Sequence, residues 1–159
     1  MTDPDSVTDT TTAAPLLAAL PDDARVWLYA TAAPLSDASA DAIATGLGAF
    51  FTGWKSHGRT VRGAAEVIGD RLIAVAATVD GGDISGCGID QHVRVLDTLL
   101  ADTGAALADA LAFVYRDAGG AVHVATRAEA RRMREAGAGV AVIRRDVTRL
   151  GDLRGALAG

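Results

Sequence analysis

The sequence predicts an α+β domain, with helices packed on one face of an antiparallel sheet. Its 159 residues are 50% hydrophobic and 22% charged, which suits one compact domain of ordinary size. Strand-like and helix-like segments follow one another in the order β-α-β-β-α-β, which matches the split βαβ, ferredoxin-like arrangement. A C-terminal β-α-β-α extension follows. A different α+β packing of the same elements is the alternative.

The first strand and helix are predicted from local composition. Arg25 to Thr31 is rich in aromatic and β-branched residues, which indicates a strand. Ser36 or Asp37 can then cap a helix through a short side-chain oxygen. Apolar residues recur at spacings of 4, 3 and 4 along one helix face, namely Ile43, Leu47, Phe50 and Trp54. We expect this helix to run on to Gly58 and stop there.

A hairpin and a second helix follow. Residues 60–68 and 71–79 are separated by Gly69 and Asp70, a two-residue connection typical of a tight hairpin. The run from Leu72 to Val79 is apolar almost throughout, which predicts a central strand. After a glycine-rich loop, a second 4, 3, 4 face predicts a helix that stops at Gly104, and its members are Ile89, Val93, Leu96 and Leu100.

The C-terminal third predicts another hairpin and two helices. Residues 112–116 and 121–126 flank a turn that contains two glycines. A short basic helix is predicted for 127–136, a last strand for 140–143, and a terminal helix near 150–157.

The N-terminal segment predicts a tail. Residues 1 to about 13 carry no large apolar side chain, so they cannot repay the entropy of ordering. We therefore predict a largely disordered acidic tail over 1–24 and a single α+β domain over 25–159. A basic signal-peptide region and an 18-residue apolar run are both missing, and Cys87 is the only cysteine, so we expect a cytoplasmic protein with no membrane partner.

Charge is unevenly distributed along the chain. The net charge is −5, and five aspartates that precede Arg25 account for it. Residues 127–154 carry eight arginines against four acidic residues. Nucleic-acid binding is nevertheless disfavoured, because the pI is about 5.0 and the chain has only seven aromatic residues. A solvated helix face is the preferred interpretation of this basic stretch. For the whole protein, the leading prediction is a small domain that binds an anionic ligand, and the rival is a non-enzymatic interaction or structural domain that associates through its sheet or through residues 127–154; a homodimer stays open.

Chemistry-bearing residues converge at one end of the predicted fold. His57 follows Trp54 by three residues, so it is expected to end the first helix on its core side. In a ferredoxin-like topology that end lies beside the loop that opens the second helix. The loop residues expected near His57 are Ser85, Gly86, Cys87, Gly88 and Asp90.

Two functions could use this convergence. A helix N-terminus with unpaired amides favours a small anionic ligand, with Ser85, Gly86, Gly88 and Trp54 as the ligand-binding set. Alternatively, Cys87 acts as a nucleophile, His57 as its base and Asp90 as the group that orients the imidazole.

A structural interpretation competes with both functions. Here the glycines serve turns, Asp90 caps the helix, Cys87 is buried and His57 caps helix carbonyls. His92 and His123 are interpreted as exposed polar residues. Phosphate-loop, dinucleotide, zinc-protease and nucleophile-elbow motifs are absent from the sequence, so we expect no cofactor and no metal site.

The chain resembles a family of short uncharacterised bacterial proteins. The resemblance rests on Trp27-Leu28-Tyr29, on the W-x-x-H-G segment from Trp54 to Gly58, and on the S-G-C-x-I-D segment from Ser85 to Asp90. Some members carry the label ABC transporter ATPase, but this sequence lacks the phosphate loop that such an activity needs. Gly88 stands where the family has serine. The resemblance implies that His57 and the loop belong together and names no reaction.

Overall fold

The computed structural model describes residues 16–158 and builds them from seven strands and four helices. The strands are β1 (Arg25–Ala30), β2 (Lys55–Ser56), β3 (Arg59–Ile68), β4 (Leu72–Val79), β5 (Phe113–Arg116), β6 (Val122–Ala125) and β7 (Ala141–Ile143). The helices are α1 (Asp37–Phe51), α2 (Gly86–Asp102), α3 (Arg127–Glu135) and α4 (Leu150–Ala158). Among these residues, no helix is long and apolar enough to cross a membrane.

The first sheet has the order β1-β4-β3-β2, and each neighbouring pair is antiparallel. Helices α1 and α2 cover one of its faces, where Ile43 and Leu47 of α1 and Leu96 of α2 pack against Ile73 and Val75. The predicted central position of the apolar run is confirmed, because β4 pairs with both β1 and β3.

The strand that follows α2 belongs to a second sheet, of order β6-β5-β7. In a ferredoxin-like fold that strand would instead pair with β1. Here the segment around Leu107 bridges Thr31 at the outer edge of β1, and Arg149 bridges Arg25 at the other end of the same edge. The α+β class is thus confirmed and the ferredoxin-like order is not, because connecting segments already occupy the edge that the extra strand would need.

The two sheets pack face to face. Leu28 and Ala74 of the first sheet share a buried cluster with Val114 and Ile143 of the second. Because α1 and α2 cover one outer face and α3 lies on the other sheet, the layers run α/β/β/α. The central strand β4 is therefore buried on both faces, which explains its continuous apolar run.

Part of the predicted N-terminal tail belongs to the core. Leu17, Leu20 and Ala24 are buried in the cluster between the sheets. The Arg154 guanidinium of α4 holds this segment by donating to the carbonyl oxygens of Leu16, Leu17 and Leu20, each at 2.9 Å. The prediction of a disordered tail is therefore wrong for residues 16–24, and for residues 1–15 it lies outside the described part of the chain.

Candidate functional site

His57 lies in a hairpin turn and not at a helix end. Helix α1 ends at Phe51 with Thr52 as its C-cap, and the chain then enters β2. His57 and Gly58 have φ values of 51° and 74°, the two left-handed residues of a type I′ turn between β2 and β3. The predicted extension of α1 to Gly58 is wrong, and so is the expected core-side orientation of His57, whose side chain is exposed.

Two serines join this hairpin to the start of α2, and we call this pair the serine clasp. Ser85 is the N-cap of α2, and its Oγ accepts from the Gly88 amide at 3.1 Å. Ser56 is buried; its hydroxyl donates to Ser85 Oγ at 3.0 Å and accepts from the Ser85 amide at 2.9 Å. The expected proximity of the His57 segment to the loop is thus produced by Ser56, the residue before the histidine.

Trp54 and Gly88 form the buried floor beneath the clasp. The indole Nε1 of Trp54 donates to the Gly88 carbonyl oxygen at 3.0 Å. A Cβ atom at Gly88 would lie 3.0 Å from Ile84 Cγ2 and 3.4 Å from Ser56 Oγ. Glycine therefore relieves a tight approach here. Trp54 and Gly88 serve the packing of the loop in this arrangement.

The remaining predicted site residues are exposed. Cys87 is a free thiol on the surface in the first turn of α2, so the expectation that it fills a buried space is wrong. Asp90 is also exposed, and it does not cap the helix because Ser85 does. Gly86 and Cys87 contribute the first two amides of α2, which have no partner among the described residues, as is usual for the start of a helix. The loop therefore offers two free amides and one accessible thiol.

His92 is a buried histidine that the sequence interpretation placed on the surface. Its exposed fraction is 0%, and its Nε2 lies 2.6 Å from the Tyr29 hydroxyl oxygen. Its ring lies 4.7 Å from that of Trp27 and 5.7 Å from that of Trp54. The spacing to Leu96 could have revealed this, since residues four apart share a helix face.

Burial shifts the pKa of both side chains in the Tyr29–His92 pair. Desolvation lowers the pKa of His92 to about 4, although the Ile89 carbonyl and the Asp90 carboxylate oppose the change. Desolvation, with a smaller contribution from Asp97, raises the pKa of Tyr29 to about 12. Nδ1 of His92 is buried without a hydrogen-bond partner in the described structure. Both side chains are therefore neutral at pH 7.

His123, which the sequence interpretation also places at an exposed polar position, contacts two neighbouring side chains. It is half-buried on β6, stacks on Tyr115 at 5.0 Å and contacts Asp117 Oδ2 through Nε2 at 2.7 Å. This hydrogen bond is the main cause that lowers the pKa of the Asp117 carboxyl. Among residues 16–158, no group of three or more His, Cys, Asp or Glu side chains is arranged to hold a metal ion.

A second candidate site lies on the outer face of the second sheet, and we call it the α3 face. Apolar side chains and arginines alternate across it; its members are Leu111, Phe113, Arg127, Arg131, Arg134 and Val142. An apolar concavity of about 180 Å³ opens between α3 and the sheet, with Phe113, Met133 and Val142 in its walls. Leu111 and Val142, at 65% and 59%, are the two most exposed large apolar side chains among the described residues.

Helix α3 forms without burying a side chain. Its capping box is complete, because Thr126 Oγ accepts from the Glu129 amide and Glu129 Oε2 accepts from the Thr126 amide. No carboxylate in residues 16–158 lies within salt-bridge distance of Arg127, Arg131 or Arg134. The α3 face therefore combines an unfilled apolar concavity with three unpaired cations.

The two candidate sites do not coincide. Neither His57 nor Cys87 lines any of five surface concavities among the described residues. Three of these concavities lie along the α3 face. No protein-family model, no curated protein and no solved structure matches this chain. The resemblance carried by the W-x-x-H-G and S-G-C-x-I-D segments stays a prediction.

Proposed function

We propose that this protein is a non-enzymatic interaction domain that binds a partner through the α3 face. The observation that carries the proposal is the apolar concavity of about 180 Å³ beside three arginines that have no partner in the described structure. Contiguous exposed apolar surface with a polar rim is a feature of interaction sites and binding grooves in soluble proteins.

Folding alone does not account for the composition of this surface. Helix α3 has nine residues and buries none of them, so it contributes little to the core. Val142 lies on the edge strand β7 and is exposed, although a polar residue there would cost the fold little. A surface that retains apolar side chains and unpaired cations without a folding reason is best explained by a binding partner.

Site-specific photo-crosslinking tests this function. A photoreactive phenylalanine analogue is placed at Leu111 or Val142, and in matched controls at the exposed positions Asp41 of α1 and Arg94 of α2. After irradiation of cells that produce each variant, we expect discrete adducts from the two α3-face positions and none from the controls. Adducts of equal yield at all four positions, or at none, would refute the proposal.

A second candidate function is the binding of a small anion at the start of α2. The specific observation is that the amides of Gly86 and Cys87 are free while the Cys87 thiol and His57 are exposed nearby. The serine clasp argues against a large ligand here, because two nearby amides are already hydrogen-bonded: the Gly88 amide donates to Ser85 Oγ, and the Ser85 amide donates to Ser56 Oγ. Thiol chemistry, with Cys87 as nucleophile, His57 as base and Asp90 as the orienting group, is the enzymatic form of this candidate and would suit a reducing cytoplasm.

The reaction of Cys87 with a thiol probe tests both forms. Rates are measured from about pH 5 to about pH 9, with and without inorganic phosphate, in wild type and in His57→Ala. Protection by phosphate supports an anion site. A rate at low pH that falls in His57→Ala supports an activated thiol. Rates unaffected by either change exclude both forms and leave the interaction domain.

A further inference from the structure

We infer that the partner of the α3 face is an acidic, extended polypeptide segment that inserts one bulky apolar side chain between α3 and β7. This inference rests on the proposed interaction function and adds the chemistry of the partner. Three features of the α3 face support it: the arginines, the concavity and the free edge of the second sheet.

The arginines define the charge of the partner. Arg127, Arg131 and Arg134 are spaced four and three residues apart, which places them along one side of α3. The rise of about 1.5 Å per residue spreads the row over roughly 10 Å. An extended segment advances about 3.3 Å per residue, so carboxylates roughly three residues apart match the ends of this row. Guanidinium–carboxylate pairs are strong, directional hydrogen-bonded contacts, and here the cations are free to form them.

The concavity defines the apolar part of the partner. Its volume is about 180 Å³, and an apolar cavity of roughly 150 Å³ accepts a benzene ring. The walls include Phe113, Met133 and Val142, while Arg134 lies at the rim. A leucine or phenylalanine side chain flanked by carboxylates therefore fits both features together.

The edge of the sheet favours an extended partner. In the order β6-β5-β7, strand β7 is the edge strand next to the concavity. Its outer backbone groups have no strand partner among the described residues. A peptide that lies along this edge can add main-chain hydrogen bonds while its side chains reach the concavity and the arginines.

Two other occupants fit less well. A second copy of the chain, docked symmetrically through the same face, would bring the two rows of arginines together. A nucleic acid would neutralise the arginines but leave the apolar concavity unfilled, and the Tyr115 ring that borders it already stacks on His123. An acidic peptide satisfies the charge and the concavity at once.

Fluorescence anisotropy with defined synthetic peptides tests the inference. The probe is a labelled decapeptide in which glutamates flank a central phenylalanine; one control replaces the glutamates with glutamine and another replaces the phenylalanine with serine. We expect the probe to bind, and each peptide control to bind about tenfold more weakly or worse. Binding of the probe should weaken several-fold between about 50 mM and about 500 mM NaCl.

Protein variants localise the binding. Arg131→Gln/Arg134→Gln should lose at least about tenfold in affinity for the probe, and Arg131→Lys/Arg134→Lys should lose less. The matched control is Arg62→Gln/Arg94→Gln, which removes two exposed arginines elsewhere and should bind as wild type does. Circular dichroism and thermal melting check that each variant keeps its fold.

Each outcome discriminates between the two levels of the proposal. If the α3-face positions crosslink but the acidic probe does not bind, the partner chemistry is wrong and the interaction function stands. If neither occurs, the interaction function itself fails. Equal binding of the phenylalanine and serine peptides, or tighter binding of a labelled oligothymidylate, would also overturn the inferred partner, because charge alone would then account for the interaction.

Discussion

The Tyr29 hydroxyl and Nε2 of His92 lie 2.6 Å apart between the first sheet and α2. His92 is fully buried, and Trp27 and Trp54 contact its ring, so water cannot replace the tyrosine as its partner. We assign Tyr29 as the donor to Nε2, because its hydroxyl keeps its proton at pH 7; the histidine proton then lies on Nδ1, which makes no hydrogen bond in the described structure. The pair connects β1 to α2 by a polar contact inside an otherwise apolar layer.

Removal of the tyrosine hydroxyl should destabilise the fold. Tyr29→Phe leaves a buried imidazole nitrogen without a partner, which costs about 1–3 kcal/mol of the free energy of unfolding. Urea denaturation measures the loss. In Tyr29→Phe/His92→Leu both polar groups are gone, so the double variant should be less destabilised than the two single losses added together. Additive losses would show that the contact contributes nothing.

Acid should weaken the fold through His92. Its pKa is about 4 in the folded protein and 6.5 when unperturbed, so between these values the unfolded chain binds a proton that the folded protein excludes. The contribution is present above pH 6.5 and is lost as the pH falls to 4, by about 1.4 kcal/mol per pH unit and of order 3 kcal/mol in all.

Urea denaturation at several pH values, in wild type and in His92→Gln, checks this sign. The variant should show a shallower fall in the free energy of unfolding between pH 6.5 and 4. His57→Ala is the matched control, because His57 is exposed, and it should keep the wild-type slope. Parallel slopes in wild type and His92→Gln would assign the acid sensitivity to other groups.

The serine clasp should stabilise the start of α2 more than an ordinary cap does. Ser56→Ala removes the acceptor of the Ser85 amide and the donor to Ser85 Oγ inside the structure. We expect a loss of about 1–3 kcal/mol, because the Ser85 amide is left without a partner. Ser36→Ala removes the exposed N-cap of α1 and should cost about 1 kcal/mol. Thermal melting of the two variants compares them, and an equal or smaller loss in Ser56→Ala would contradict the clasp.

The elements that the sequence predicts well are those with local signals. The hairpin at Gly69, the start of α1 at the Ser36 cap and the apolar strand β4 all follow from neighbouring residues, and the structure confirms them. The predicted two-residue connection is wrong, because Ile68 pairs with Leu72 and the turn therefore has three residues, 69–71. The sheet to which β5 belongs has no local signal, because strand pairing depends on which sheet edge is free. The edge of β1 is not free, since Leu107 bridges Thr31 there, and nothing in the residues near β5 indicates that bridge.

The sequence predicts that the His57 segment lies near the start of α2, but it does not predict the hairpin turn that holds His57. Trp54 continues the apolar spacing of α1 after the helix has ended, since its ring still stacks on Phe51 at 5.8 Å. Because of this contact, the apolar spacing of a helix persists in the sequence where the chain already forms a hairpin. Only the His57–Gly58 pair, whose residue types tolerate positive φ, indicates the turn. The α3 face needs three-dimensional information, because its arginines are visible in the sequence but the empty concavity beside them is not.

Arg154 should hold the N-terminal segment in the core. Its guanidinium reaches three carbonyl oxygens of residues 16–20 and the Asp22 carboxylate, a geometry that an ammonium group cannot reproduce. Arg154→Lys should therefore speed proteolytic cleavage within residues 16–24. Arg94→Lys, at an exposed position on α2, is the control and should leave the cleavage rate unchanged. Equal protection in Arg154→Lys would show that burial of Leu17 and Leu20 suffices.

Two glycines of α1 should respond in opposite directions to the same substitution. Both lower helix propensity, so replacement by alanine gains about 0.5–1 kcal/mol wherever the new methyl group has room. A Cβ atom at Gly48 meets nothing within 4 Å, whereas one at Gly46 would overlap Leu99 Cδ2 of α2. Gly48→Ala should therefore raise the melting temperature and Gly46→Ala should lower it, because α1 and α2 approach closely at Gly46. Leu99→Ala removes the side chain that the new methyl group would meet. Compared with Leu99→Ala alone, the double variant Gly46→Ala/Leu99→Ala should therefore have an equal or higher melting temperature. A gain from Gly46→Ala with Leu99 intact would mean that the leucine moves aside at no cost, and the close approach would then not explain the glycine.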